Sequence, residues 1–389
     1  MKVYVFESHP VQYHAPVYRE LHKICEETRV GSVKVFYATD ISLKGHADKG
    51  FGTEVSWDEP LLAGYDSVIL HNENGTPLQG FWSLTGKHVW RILSTEKPDV
   101  VLLTQLAYRY DWMTFFVARL LGVQVWLRTE TQDHAFTRSF LKNIFRTLVY
   151  KIIYLGVQRF LAIGKLNAEH YRKHGVREYK LFRSPYCVVD RFQSLSPGEK
   201  NRIREEIRTR LGFAPETVVM LFCGKFQEKK NPEILLDVLK KMQPDERKRF
   251  GVLFVGSGIL EEKLRTQAAK FSDIVIAFSG FKNQTELPAY YLASDILILP
   301  SRQMGETWGL VVNEALLAQK RVIVSQHVGC GEEFKELPSV RIFDGSVDDL
   351  LVTLRVIPPE ESTTGQIEWM SRYSVRAAAE GIVRAMHSS

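Results

Sequence analysis

Two glutamates eight positions apart, Glu306 and Glu314, flank a glycine in the run ETWGLVVNE (306–314). The run follows an apolar segment of strand type, DILILP (295–300), and a short polar loop, SRQMG (301–305). A strand, a loop and a helix start in that order are how open α/β sheets build ligand crevices at the carboxyl ends of their strands. The first amides of a helix have no intrahelical partner, which suits a phosphate. Glu306 then lies in the loop just before the anion site. Glu314 lies in the second turn, about 7.5 Å along the axis from Gly309 at ~1.5 Å per residue. One carboxylate would meet a sugar on one side of a diphosphate, and the other a ribose on the far side. The bland alternative is a loop glutamate plus a solvated helix glutamate favoured by the helix dipole.

Three further loops follow strand-like runs in the same half. In GKFQEKKNP (224–232), Gly224 is followed by Lys225 and Lys230 ahead of a helix start marked by Asn231 and Pro232. Two cations there could neutralise a diphosphate leaving group; the alternative is a solvated basic loop. GSG (256–258) places Gly256 at a strand-to-helix turn, which a tight turn alone explains equally well. In GFKNQTEL (280–287), Phe281, Lys282 and Asn283 could offer backbone groups and a planar contact to a base, while Asn283 or Thr285 could cap the next helix. All four loops fall on one edge of one expected sheet, in the order a nucleotide crevice requires.

These loops need a scaffold. Apolar runs alternate with helical patterns almost throughout, which predicts parallel βαβ units. Strands are expected at 2–6, 32–38, 100–104, 123–128 and 159–164, then at 218–223, 251–256, 273–280, 295–300 and 321–325. The stretch 40–77, rich in Gly and Asp, reads as a long loop, and 183–200 as a linker. The fold class is therefore α/β, with two Rossmann-like domains facing across a cleft: 1–190 with the helix 365–389 crossing back, and 191–364.

A chain of 389 residues with 45% hydrophobic and 25% charged content fits a two-domain globular protein. A net charge of +6 without clustered basic and stacking residues argues against a nucleic-acid partner. The four cysteines are scattered, without CxxC or metal spacing, and the N-terminus opens directly on a strand, so a cytoplasmic protein is expected.

The run GFKNQTELPAYYLASDILILPSRQMGETWGLVVNEALLAQKRVIVS (280–325) resembles the retaining family-4 glycosyltransferases of the GT-B fold, especially those of bacterial polysaccharide assembly. The resemblance implies that Glu306 contacts the donor sugar and Glu314 the ribose. It implies that Gly309, Leu310 and Val311, beside Trp308, supply amides to the diphosphate. The family's G-R-x-x-x-x-K pattern stands here as Gly224, Lys225 and Lys230; lysine keeps the charge but loses the bidentate fork of arginine. It also implies metal independence and no cofactor beyond the nucleoside diphosphate sugar. The first half departs more. The family's glycine-rich loop is ESHPVQYHAP (7–16) here, leaving His9, Gln12, Tyr13 and His14 as acceptor or donor contacts. Where the family has a mid-domain histidine, LRTETQDH (127–134) places Glu130, with Arg128, Asp133 and His134 as neighbours. Glu130 would orient a hydroxyl, act as a base or stabilise an oxocarbenium-like sugar; the alternative is a structural carboxylate paired with Arg128.

In 136–153, Arg138, Lys142 and Arg146 recur every four residues beside a broad apolar set. Such a helix either lies peripherally on an anionic membrane or buries its apolar face in the core and leaves a solvated basic edge. The expected activity is sugar transfer from a nucleoside diphosphate sugar to a hydroxyl of a glycan or lipid-linked glycan acceptor. A sugar-nucleotide epimerase or phosphorylase, or a non-catalytic nucleotide-sugar-binding partner, are the rival readings.

Overall fold

The computed structural model describes residues 1–43, 46–48, 53–55, 57–74, 78, 80–357, 363 and 365–388. The first half contributes β1 (Lys2–Glu7), β2 (Ser32–Tyr37), β3 (His46–Asp48), β4 (Thr53–Val55), β5 (Asp66–Ile69), β6 (Val100–Leu103), β7 (Gln124–Leu127), β8 (Arg159–Ala162) and β9 (Leu181–Arg183). Seven of them form a sheet in the order β5-β2-β1-β6-β7-β8-β9, parallel throughout, and β3 and β4 pair separately as an antiparallel ribbon. The second half contributes β10 (Val218–Cys223), β11 (Phe250–Val255), β12 (Ile276–Phe278), β13 (Ile296–Leu299), β14 (Arg321–Ser325) and β15 (Val340–Phe343). These form a second parallel sheet, β12-β11-β10-β13-β14-β15.

The central strands read as unbroken apolar runs because helices cover both faces of each sheet. Val100–Leu103 and Ile296–Leu299 are buried at every position. The connectivity reverses direction between β1 and β6 in the first sheet and between β10 and β13 in the second. Crevices form outside the carboxyl ends of strands at such reversals. The loops after β1, β6, β10 and β13 therefore meet in one place.

The α/β class and the two-sheet architecture match the sequence-based expectation, and several local readings are corrected. The stretch 40–77 is not a plain loop: β5 lies within it and pairs with β2, Lys34 opposite Asp66 through Tyr37 opposite Ile69. Residues 44–45, 49–52, 56 and 75–77 of that stretch lie outside the described residues. The segment 183–200, read as the linker, carries buried side chains at Ser184, Tyr186, Cys187 and Phe192. The C-terminal pattern splits into Gln366–Ser371 and Val375–His387, with Ser374 Oγ accepting from Ala377 N at 3.1 Å. Val375–His387 packs on Ala15–Thr28, burying Ala378, Ile382 and Met386 with Leu21 and Ile24.

The core-facing reading of the basic helix is also overturned. In Phe140–Leu155 only Tyr154 is buried, and Phe140, Phe145 and Leu155 are 77%, 71% and 80% exposed. Arg146 leaves the expected basic stripe and turns inward, with its guanidinium on Asp133 and 4.6 Å from the Tyr150 ring.

Candidate functional site

The two sheet edges enclose a cleft of about 950 Å³. Glycine shapes its floor. A Cβ on Gly256 would stand 2.0 Å from Gly224 O, so the turns after β10 and β11 touch backbone to backbone. Gly309, at the start of the helix Leu310–Leu317, has φ +105°, and a Cβ there would meet Leu299 Cδ2 at 2.7 Å. Only glycine keeps this helix start both left-handed and pressed on β13, with its first amides toward the cleft.

Glu306 sits in the loop before that start, 7% exposed. Lys230 Nζ lies 2.5 Å from Glu306 Oε2, and Ser301 Oγ donates to the same oxygen at 3.1 Å. Burial alone would raise this carboxyl, but the charge and hydrogen bond of Lys230, with Lys229 and Ser301, hold it below the usual carboxylate range. Lys225 also lines the cleft. Glu314 borders the cleft on one side and protein on the others. Burial pushes its carboxyl up to about 7, against the Tyr291 hydroxyl, which donates to Oε2 at 2.5 Å, and the charge of Arg191. Trp308 is buried, its Nε1 donating to Asn313 Oδ1 at 2.8 Å and its ring pressed on Gly164 of the first half. Leu310, Val311, Phe281 and Lys282 complete this wall.

From the facing sheet come His9, Gln12, Tyr13 and His14 after β1, and Glu130 after β7. His14 Nδ1 lies 2.7 Å from Glu7 Oε1, an oxygen that also accepts from Tyr18 OH. Burial works to raise the Glu7 carboxyl, but His14 and Tyr18 hold it below its usual range. Glu130 is not paired with Arg128. It accepts from Tyr186 OH through one oxygen and from Thr307 Oγ1 at 2.7 Å through the other, which ties the two halves together beside Glu306. Glu7 Oε2 and Gln12 Oε1 are buried without a hydrogen-bond partner among the described residues.

Two sequence candidates stand back from the cleft. Arg128 is buried, its Nε donating to Ser184 Oγ at 2.9 Å and its Nη2 to Pro185 O at 3.1 Å. Asn283 stands off the cleft lining, its carbonyl accepting from Glu286 N and Leu287 N at the start of the next helix. Glu7, Tyr186, Thr307 and Lys229 escaped the sequence reading. Lys229 Nζ donates to Gly305 O at 2.8 Å, and burial lowers its pKa. Only Lys229 carried a local signal, as the neighbour of Lys230 in a basic loop. Trp57 also enters the cleft, its ring 6.3 Å from that of Phe281, while Asp58 accepts from Thr285 N at 3.1 Å.

Asp133, His170 and His174 bring possible metal-ligand atoms within 4.8 Å of one another. The Asp133 carboxylate already meets Arg146, Lys173 Nζ at 3.2 Å and His170 Nδ1 at 2.9 Å. With two cations already on its one carboxylate, this is a structural cluster. A second group, Asp40, His71 and Glu73, is only partly buried.

Residues 203–351 match the family model described as glycosyl transferases group 1. That stretch, within the second half of the chain, thus carries the pattern of a group 1 glycosyl transferase domain. This transferase domain contains Lys225, Lys230, Glu306 and Glu314. The chain is 32% identical over 152 residues to D-inositol 3-phosphate glycosyltransferase 2 of Catenulispora acidiphila, covering 37% of this chain and 34% of that protein. The chain thus spans about a third of the length of that curated relative. An uncharacterized glycosyltransferase of Methanocaldococcus jannaschii is 25% identical over 316 residues, covering 75% of this chain and 77% of that one. Anabaena HepE, in a crystal structure with UDP, superposes with a TM-score of 0.72 at 14% identity over 100% of both chains. The architecture around the transferase domain is GT-B, as the sequence resemblance implied.

Proposed function

We propose that this protein is a retaining glycosyltransferase that moves a sugar from a nucleoside diphosphate sugar to a hydroxyl of a glycan or lipid-linked glycan in cell-surface polysaccharide synthesis. It would act in the cytoplasm, peripheral to the membrane. The observation that carries the reading is the Glu306–Lys230 pair at the mouth of the Gly309 helix start, with Glu130 of the other half beside it. The UDP in the HepE structure supports a nucleoside diphosphate donor.

On this reading Glu314 takes the ribose hydroxyls, and the amides of Gly309, Leu310 and Val311 take the diphosphate. Lys230 is shared between Glu306 and a phosphate oxygen. Glu306 accepts from the donor sugar's hydroxyls, an ionised acceptor kept charged by the lysine. The bond from the anomeric carbon to the diphosphate oxygen breaks as the acceptor oxygen closes on the same face. The acceptor proton passes to the departing diphosphate. Lys225, Lys230 and the helix amides stabilise that charge, so no metal is required. Glu130, fixed by Tyr186 and Thr307, orients the acceptor beside the anomeric carbon. The unpartnered oxygens of Glu7 and Gln12 offer further acceptor-hydroxyl contacts.

The deciding experiment supplies a radiolabelled nucleoside diphosphate sugar with and without a glycan acceptor, in the presence of EDTA, and determines the anomeric configuration of the product. Transfer with retention is expected. A sugar altered without acceptor marks an epimerase, a requirement for inorganic phosphate marks a phosphorylase, and an inverted product or loss of rate in EDTA overturns the mechanism.

A further inference from the structure

The helix Phe140–Leu155 carries its apolar side outward. At 3.6 residues per turn, Phe140, Leu141, Ile144, Phe145, Leu148, Ile152 and Leu155 share one arc of about 140°. All seven are exposed, by 45% to 80%, and only Lys151 interrupts them. The opposite side is held by polar contacts. Arg146 pairs with Asp133, and Tyr154 OH lies 2.8 Å from His170 Nε2. Rolling the helix to bury the arc would break both. The preceding helix, Arg109–Leu120, extends the surface with Phe116 and Leu120, 59% and 74% exposed. The two helices belong to one layer, since Phe115 and Tyr154 share a core cluster and the Phe115 ring abuts Gly156. Folded monomers rarely leave a contiguous apolar patch of more than a few hundred Å² in water.

Charge selects the occupant. No aspartate or glutamate occurs from 134 to 168, while Lys142 and Lys151 are exposed on the helix and Arg138 lies at its head. A second copy of the chain would bring these cations against each other with no carboxylate in either helix to answer them. Lipid phosphates answer them, and acyl chains take the apolar arc. We propose that the face formed by Phe140–Leu155, Phe116 and Leu120 docks on an anionic lipid bilayer. The assignment deepens the reading of a transferase peripheral to a membrane and rests on it for the choice of a bilayer.

The dock adjoins the cleft. The segment leading into the helix lies on the loop that carries Glu306: Gly305 N donates to Ala135 O at 2.8 Å, and Gln303 Nε2 to His134 O at 3.0 Å. A bilayer on this face therefore stands beside the donor site, where an acceptor carried on lipid has the least distance to travel.

The test is vesicle flotation of the full chain, without sugar nucleotide, so that its failure is separable from a failure of transfer. Vesicles are phosphatidylcholine alone or with a third phosphatidylglycerol. Wild type is expected to float with the anionic vesicles and at least tenfold less with the neutral ones. The double variant F145D/I152D, at exposed positions and checked for an unchanged Tm, should lose at least tenfold in binding. K142E/K151E should lose the preference for phosphatidylglycerol. No flotation of wild type, or equal flotation of F145D/I152D, overturns the proposal. So does a dimer in solution that F145D/I152D dissolves without any vesicle binding, since a second copy is then the occupant.

Discussion

Lys230 Nζ stands 2.5 Å from Glu306 Oε2, although 76 residues separate them in the chain. The pair joins the loop after β10 to the loop after β13, the two strands that flank the reversal of the second sheet. Each partner depends on the other. Without Lys230 the buried Glu306 keeps a charge in a site that cannot solvate it.

Lys230→Ala and Glu306→Gln should each lower kcat by about 100- to 1000-fold, the usual range for loss of a transition-state charge contact. Lys230→Ala should also lower stability by about 3 kcal/mol, because it strands a buried carboxylate. Lys230→Met with Glu306→Gln should recover the Tm and leave the rate lost. Kinetics with calorimetry on the three variants checks this. A double variant as active as wild type removes the pair from the mechanism. The pair also sets an acid limit. The folded pKa of Glu306 lies below its unfolded value, so its stabilisation is present above that value and is lost as pH falls.

Glu314 has the opposite sign. Its folded carboxyl is pushed up to about 7, so its contribution to stability is full below the unfolded value of 4.5 and is lost as pH rises through about 7. Ribose hydroxyls donate better to the carboxylate than to the acid, so nucleotide binding should release a proton. Affinity for a nucleoside diphosphate should rise by up to about tenfold per pH unit as pH climbs toward 7, then level off. Calorimetry in buffers of different ionisation heat reads both affinity and proton release. Glu314→Gln should weaken binding and flatten the pH profile; an unchanged profile refutes the ribose contact.

Trp57 and Phe281 face each other edge to face from opposite halves of the molecule. A base lying against them would lose aromatic contact in Trp57→Ala. An aromatic contact of about 1 kcal/mol predicts a five- to tenfold weaker nucleoside diphosphate, with kcat at saturating donor little changed. Equal affinities in a titration would place the base elsewhere.

Gly164 lies under the Trp308 ring, and a Cβ there would come 2.3 Å from Cζ3. The backbone is extended, so the obstacle is contact and not strain. Gly164→Ala should push the halves apart, lowering stability by about 1–3 kcal/mol and donor affinity with it. Thermal melts with and without nucleoside diphosphate would show it; a wild-type Tm would mean that the ring yields.

The central strands were legible because a parallel strand covered on both faces is a bare apolar run, as Val218–Cys223 shows. Asp66–Ile69 and Leu181–Arg183 were not. Both are sheet-edge strands, short, with charged ends and half-covered side chains. Glu306, Lys230 and Glu314 were legible because a strand, a loop and a helix start impose local spacing. Tyr186 and Thr307 were not, since their meeting at Glu130 depends on the approach of two sheets. The helix at 140–155 lies between these cases. Its periodicity gives an apolar arc but not the direction that arc faces; the inward pull of Arg146 and Tyr154 decides that.

The contact of Gly256 on Gly224 bears on how this transferase domain can be re-engineered. At 256 the two neighbouring loops meet with no room for a side chain, and Gly224 holds φ +142°, which other residues rarely adopt, so a combinatorial library spent on 224 and 256 would return mostly misfolded clones. On the proposed reading, selectivity for another nucleotide is better redesigned where Trp57 and Phe281 meet from the two halves and present replaceable surfaces.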